Sequence, residues 1–300
     1  MADPGAALDR RYETAVRWRV LAARFGIYAM LGAFAFFYLA PLFVMIVTSL
    51  KPMEEIRAGT LFHLPRFVHL ENWREAWSET CISVNCGGMQ PYFANTLLIV
   101  VPSVFASTML GALNGLALTK FRFPGADVVF VMMLFGCFIP YQAIILPLAQ
   151  SLGQIGLANT YAGLILVYTV YGLGFTTLFF RNYYLSVPQE IIRAATIDGA
   201  GFLQIFWKII LPISGPIIVV TVIWQFTQIW NEFLFAATLT GGDKQTVMVA
   251  LNNLVKTSTA TKRYDIDMAS AIIAGLPTML VYIFAGRYFM RGLTAGAVKG

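Results

Sequence analysis

Chemistry leaves reactive residue types at short spacing, and few such groupings exist in this 300-residue chain. His63 and His69 are the only histidines, and no cysteine or carboxylate stands near them at zinc-ligand spacing, which removes the usual basis for metal-assisted hydrolysis. No nucleophile has an evident base. No Gly-x-x-x-x-Gly-Lys-Ser/Thr run occurs, and Gly241-Gly242-Asp243-Lys244 is not a phosphate loop, so ATP as a fuel requires a separate subunit. Cys137 lies in an apolar run and reads as a small buried apolar residue.

What remains is recognition. Tyr141 and Gln142 follow Pro140, whose missing N–H can kink a helix and leave polar groups facing a cavity, and Pro147 repeats the interruption. Gln225, Gln228, Trp230, Asn231 and Glu232 cluster in a second apolar run. Amides, a carboxylate and aromatic faces inside apolar surroundings are the groups that could meet a polar solute. Two blander readings stay open: Glu232 at an interfacial helix end, and Gln225 with Gln228 as helix-packing hydrogen bonders.

The elements that must hold these residues are membrane helices. Hydrophobic residues make up 58% of the chain and charged ones 12%, against roughly 25% charged in a soluble domain. Six apolar runs have the length of about 20 residues that spanning requires: Phe25 to Leu50, Phe93 to Leu118, Val128 to Ala149, Tyr161 to Phe180, Ile209 to Phe235 and Ala269 to Met290. The first lacks a small-residue cleavage site and is expected to stay as an anchor. The expected fold is an all-α polytopic membrane protein of six transmembrane helices.

An even number of spans puts both ends on one side. That side receives Arg10, Arg11, Arg17, Arg19, Arg24, Lys120, Arg122, Arg181, Arg193, Lys208, Arg287, Arg291 and Lys299. The other carries Glu54, Glu55, Glu71, Glu75, Glu79, Asp243, Asp265 and Asp267. The positive-inside rule then makes both termini cytoplasmic. The expected division is a tail over 1–24, a transmembrane domain over 25–290 with outer loops 51–91 and 238–268 and a cytoplasmic loop 181–208, and a tail over 291–300. The net charge of +6 reads as topology: the basic residues form no patch for nucleic acid. Cys81 and Cys86 fall in the first outer loop, on the oxidising side, where glycines let the chain turn; a local disulfide is expected over two free thiols.

The most informative stretch runs from Ser186 to Pro212 and reads as helix, turn, helix. Ser186 and Gln189 have capping-box spacing, Pro188 suits a first turn, and Gly199 can end a helix in the left-handed conformation. Ala194, Ala195, Gly199 and Ala200 leave little bulk at the turn, so another protein's surface can come close. Leu203, Ile205, Phe206 and Trp207 follow, an apolar cluster that implies a partner or, on the alternative reading, a helix lying on the membrane surface.

Arg193-Ala194-Ala195-Thr196-Ile197-Asp198-Gly199-Ala200 resembles the cytoplasmic coupling loop of binding-protein-dependent ABC importers, with Arg193 where that family has glutamate. Lys120-Phe121-Arg122-Phe123-Pro124-Gly125 and Trp230-Asn231-Glu232-Phe233 extend the resemblance, which is closest to the shorter permease of the sugar branch; the loop carrying Cys81 and Cys86 is similar to that of glucose and mannose permeases. It implies a type I importer permease fold in a bacterial inner membrane, a second, different permease subunit, two ATPase subunits that bind ATP and magnesium, and an extracytoplasmic solute-binding protein. It also implies that Glu190, Arg193, Ala194, Ala195, Asp198, Gly199, Ala200, Phe202 and Phe206 meet the ATPase, while the candidates for the pathway are those the residues themselves offer: Tyr141, Gln142, Gln228, Trp230, Asn231 and Glu232. No cofactor is expected in this chain. The rival classes are an ion-coupled secondary transporter, for which mid-membrane carboxylates and histidines are too few, and a membrane enzyme, for which no site is evident.

Overall fold

The computed structural model describes residues 4–60, 62–83, 85–121, 123–256 and 262–295, and the side chains among them of residue 18 and of 20–286. The side chains of Arg10, Arg11, Arg17, Arg19, Arg122, Arg287, Arg291 and Lys299 lie outside that description. The helices are α1 (Pro4–Ser49), α2 (Met53–Ala58), α3 (Glu71–Ser78), α4 (Gln90–Lys120), α5 (Ala126–Phe138), α6 (Tyr141–Gln154), α7 (Tyr161–Leu185), α8 (Gln189–Ile197), α9 (Phe202–Ile205), α10 (Leu211–Ile213), α11 (Gly215–Trp230), α12 (Leu234–Leu239), α13 (Val247–Lys256) and α14 (Tyr264–Ala295). The outer segments expected as loops hold helices of their own.

Among the described residues, four stretches are long and apolar enough to cross a bilayer alone: Val20–Ser49, Gln90–Lys120, Tyr161–Leu185 and Tyr264–Gly286. The third and fifth expected spans are corrected to bent pairs, α5 with α6 at 99° and Phe202–Ile213 with α11 at 83°, giving six if each pair is one span. Pro140 explains the first bend. A residue before proline is pushed out of the helical region, and Ile139 is extended at φ −66°, ψ 126°. Pro147, by contrast, sits inside a continuous α6. The second bend falls at Ser214, ahead of Gly215 and Pro216, so Ile209 to Ile213 lie across that bend from α11.

The chain divides into two compact units, Met1–Asn72 with Arg263–Ala269, and Trp73–Lys262 with Ser270–Gly300. In the first, α1 has 46 residues, about 70 Å at the helical rise and more than twice the hydrocarbon thickness. Phe25, Phe36 and Tyr38 stand exposed on it, as lipid-facing residues do. Its last carbonyl is capped from a distance: Asn72 Nδ2 donates to Ser49 O (3.1 Å) and also to Lys51 O (2.8 Å), just past the helix.

In the second unit α4 and α7 pack at closest range. A Cβ on Gly111 would run into the Thr176 side chain, and one on Gly115 would lie 2.8 Å from Phe180 Cβ. Two glycines four residues apart thus let the helices touch, the small-residue logic of packing in lipid. Buried hydroxyls satisfy themselves on their own helices, Ser103 on Ile99 O (2.7 Å), Ser107 on Ser103 O (2.7 Å) and Thr119 on Gly115 O (2.7 Å).

Between α3 and α4 a short hairpin is closed by the Cys81–Cys86 disulfide and by paired backbone bonds between Ile82 and Asn85. It anchors the N-terminal end of α4: Ile82 is fully buried, and Tyr92 donates its hydroxyl proton to Ile82 O at 3.3 Å. Gly88, at φ +58°, lies against the Trp77 backbone where no Cβ fits.

Candidate functional site

Two places gather the candidate residues, both within the second unit. The first is the segment joining α7 to α11. Its entry is tied to α4: Lys120 Nζ donates to Val187 O (2.5 Å), and Gln189 Nε2 donates to Lys120 O (3.3 Å). The expected capping box at Ser186 does not form. Ser186 Oγ donates backward to Tyr183 O (2.7 Å), and Gln189 is committed to Lys120, so Pro188 precedes the helix with no side-chain cap. α7 itself continues to Leu185, and the segment extends to Ile213, so its bounds differ from 181–208.

α8 is amphipathic. Ile192 and Ala195 are buried in a core that includes Leu116, Phe180 and Tyr184, while Glu190, Arg193, Ala194, Asp198 and Gly199 are exposed. The helix ends in a left-handed turn at Gly199 (φ +82°), where Gly199 N–H donates to Thr196 O (3.0 Å) and Ala200 N–H to Ala195 O (2.9 Å). That pair of bonds is the Schellman arrangement, which a glycine adopts at least cost. Beyond it Gly201 N–H donates to Gln204 Oε1 (3.2 Å), and Phe202, half-buried, meets Phe121 edge-on at 5.0 Å.

Phe206–Ile210 then form one π-helical turn, with Leu211 N–H reaching back to Phe206 O. Pro212 accounts for it: proline has no N–H to give the carbonyl four residues earlier, and its ring crowds that carbonyl, so the ladder slips by one. Two expected docking residues are therefore corrected. Ala195 and Phe206 face inward, Phe206 with no exposure at all, and they seat the segment on α4 and α7. Ile191, Ile197, Leu203 and Trp207 instead present apolar surface outward, Ile197 at 86% exposure.

The second place is a cavity of about 610 Å³ bordered by the end of α5, the start of α6, the middle of α7, and α11 with the residues that follow it. Of the expected pathway residues, Tyr141, Gln228, Asn231 and Glu232 line it. Gln142 does not, and is exposed elsewhere on α6. Trp230 does not either: it is fully buried, its indole N–H donates to Ala274 O (2.9 Å), and its ring packs on Phe93 and Phe226. A helix places neighbours about 100° apart, so Trp230 and Asn231 face different ways.

Several lining residues carried no signal in the sequence beyond their aromatic type. Tyr168, Tyr171, Phe175 and Trp224 contribute rings, and Phe235 lies 5.5 Å from both Tyr141 and Tyr171. Cys137, expected to be buried, is half-buried on the wall, its thiol 3.5 Å from Met133 O. Gln225 is buried, as packing would have it, and its amide is 3.5 Å from Tyr168 O; it crosses to α7 where Gly172 leaves room for no Cβ.

Glu232 sits in the break between α11 and α12. Tyr168 donates its hydroxyl to Oε2 (2.6 Å), Phe235 N–H donates to Oε1 (2.8 Å), and Ala236 N–H donates to Oε2 (3.2 Å). A carboxylate in a membrane segment is costly unless it is compensated, and here three donors compensate it.

Residues 107–294 match the family model described as the inner membrane component of binding-protein-dependent transport systems. A probable ABC transporter permease of Pyrococcus horikoshii is 47% identical over 167 residues, 55% of this chain and 60% of that relative. The xylose/arabinose import permease XacI of Haloferax volcanii is 31% identical over 290 residues, 90% of this chain and 92% of that relative. In fold, the chain superimposes with a TM-score of 0.77 and 21% identity on a chain of a bacterial ABC transporter involved in the import of the acidic polysaccharide alginate, covering 88% of this chain and 96% of that one.

Proposed function

Because the chain belongs to the family of inner membrane components of binding-protein-dependent transport systems, we propose that it is the permease subunit of an ATP-driven sugar importer and that α8 and α9 couple it to the ATPase. As a family member it is a multi-pass membrane permease that works with an ATPase and a solute-binding protein. Sugar as cargo draws support from the xylose/arabinose permease, which aligns along 92% of its length.

One observation carries the coupling role. The Gly199 turn holds exposed backbone, Arg193, Ala194 and Ile197 clear of the membrane helices, while Ile192, Ala195 and Phe206 bind the same segment to α4 and α7. A push on the outer face of α8 is thereby passed to two spans. The assembly we infer has two ATPase subunits carrying ATP and magnesium, a second and different permease subunit, and a binding protein on the outer face near the 51–91 and 238–268 segments. Both termini and the 181–208 region then face the cytoplasm.

The test is uptake of labelled xylose, arabinose, glucose and maltose into vesicles holding the full complex and its binding protein. ATP-dependent accumulation of a sugar is expected. Uptake that ignores ATP and follows an ion gradient would put the chain among secondary transporters.

A further inference from the structure

We propose that the cavity is a subsite for an uncharged sugar and that Glu232 makes it reject acidic sugars such as uronates. The proposal rests on the sugar-importer reading above and deepens it. Among the described residues lining the cavity Glu232 is the one charged side chain, and none is lysine or arginine. An anionic ligand entering there finds no counter-charge in this chain.

Nor can the carboxylate swing aside. Tyr168 holds one oxygen from α7, and the Phe235 and Ala236 amides hold both from the start of α12. Two carboxylate oxygens offer about four acceptor positions, of which three are taken, leaving about one for a ligand. A sugar hydroxyl can donate to it. A uronate carboxylate cannot donate, and it brings a like charge within a few ångströms, which at such range disfavours the pair by a factor of about 10 to 1,000.

The remaining wall fits the C–H faces and other hydroxyls of a sugar. Tyr171 packs edge to face with both Tyr141 and Phe235, Trp224 adds a further ring to the lining, and Gln228 and Asn231 add amides. The volume, about 610 Å³, lies in the range of small-molecule sites.

The experiment must bypass the binding protein, which does its own selecting. The full permease–ATPase complex in nanodiscs, without binding protein or ATP, carries Gln228→Cys with Cys137→Ser. A small thiol reagent labels position 228, and the mass of this chain reports the rate. Glucose and arabinose should slow labelling, and galacturonate at pH 7 should need at least about tenfold higher concentration for the same protection. Galacturonamide, its neutral counterpart, should protect like glucose with no change to the protein, and Glu232→Gln should narrow the galacturonate gap.

Equal protection by galacturonate and galacturonamide overturns the proposal, as does a gap that survives Glu232→Gln. Protection by glucosamine alone overturns it too, and makes the site one for cations. If no sugar protects while the wild-type complex and the Gln228→Cys, Cys137→Ser complex both still take up labelled sugar, the subsite fails and the importer reading stands. If no sugar is taken up either, that reading fails with it.

Discussion

Replacing Gly199 by alanine, asparagine or tryptophan separates two properties of the turn after α8. The backbone there sits at φ +82°, where a residue bearing Cβ is disfavoured by about 1–2 kcal/mol and asparagine by less. In population that is roughly 5- to 30-fold, enough to unwind the last turn of α8 and release the bonds from Gly199 to Thr196 and from Ala200 to Ala195. The space around the turn gives the second property. A Cβ at 199 meets nothing of this chain within 4 Å, so tryptophan adds bulk on the open side of the turn beyond the backbone strain it shares with alanine. Gly199→Asn should therefore import nearly as wild type and Gly199→Ala several-fold less. Gly199→Trp should insert normally yet lose the ATPase on co-purification and lose uptake. Proteoliposome uptake, ATPase rate and the subunit ratio of the purified complex read all three. A Gly199→Trp complex that keeps its ATPase and imports at the wild-type rate refutes the docking face.

Gly115→Leu should lower the melting temperature of the purified complex, since its Cβ starts 2.8 Å from Phe180 Cβ and overpacking of this kind costs about 1–3 kcal/mol; an unchanged melting curve would mean that α4 and α7 can part freely. Changing Cys81 and Cys86 together to serine opens a loop with a sequence separation of 5, worth about 2 kcal/mol on the chain-entropy model. Differential scanning fluorimetry should show a lower melting temperature with the uptake per ATP unchanged. Ser214→Ala removes a hydroxyl that donates to Ile210 O at 2.5 Å and lies 3.1 Å from the Tyr184 hydroxyl, at the 83° bend. Uptake per ATP hydrolysed should fall while hydrolysis continues; an unaltered ratio would show that the bend needs no pin.

How far the sequence could be read follows from which interactions are local. The apolar runs, the Gly199 turn and the Pro140 interruption are visible because a span needs about 20 apolar residues and because glycine and proline act on their own backbone. Ser186 and Gln189 show the limit. Their spacing promised a local cap, but Lys120, 69 residues from Gln189, took the glutamine side chain. Ala195 and Phe206 could not be sorted from Ala194 and Trp207 by type, since which face of a short apolar helix turns inward depends on α4 and α7. Trp230 and Asn231 parted for the same reason. Tyr168 was hidden altogether, because its partner Glu232 lies 64 residues on.

α11 joins the two places where the candidate residues meet. It starts beyond the Ser214 bend, next to the segment that carries α8, and ends at Trp230, just before Glu232 and the cavity. Its 16 residues form one unbroken helix of about 24 Å, so a tilt of about 10° at one end moves the other by about 4 Å. The 2.6 Å bond between Tyr168 and Glu232 cannot survive such a shift unless α7 moves along. α7 does share the load, because Phe180 and Tyr184 belong to the same buried core as Ile192 and Phe206. Whether Glu232 keeps its tyrosine therefore depends on α7 and α11 moving together or apart when α8 is displaced. A difference between those two movements would change the number of acceptor positions that Glu232 offers a ligand, and this geometry provides a direct way for an event at the α8 face to alter how tightly the cavity holds its sugar.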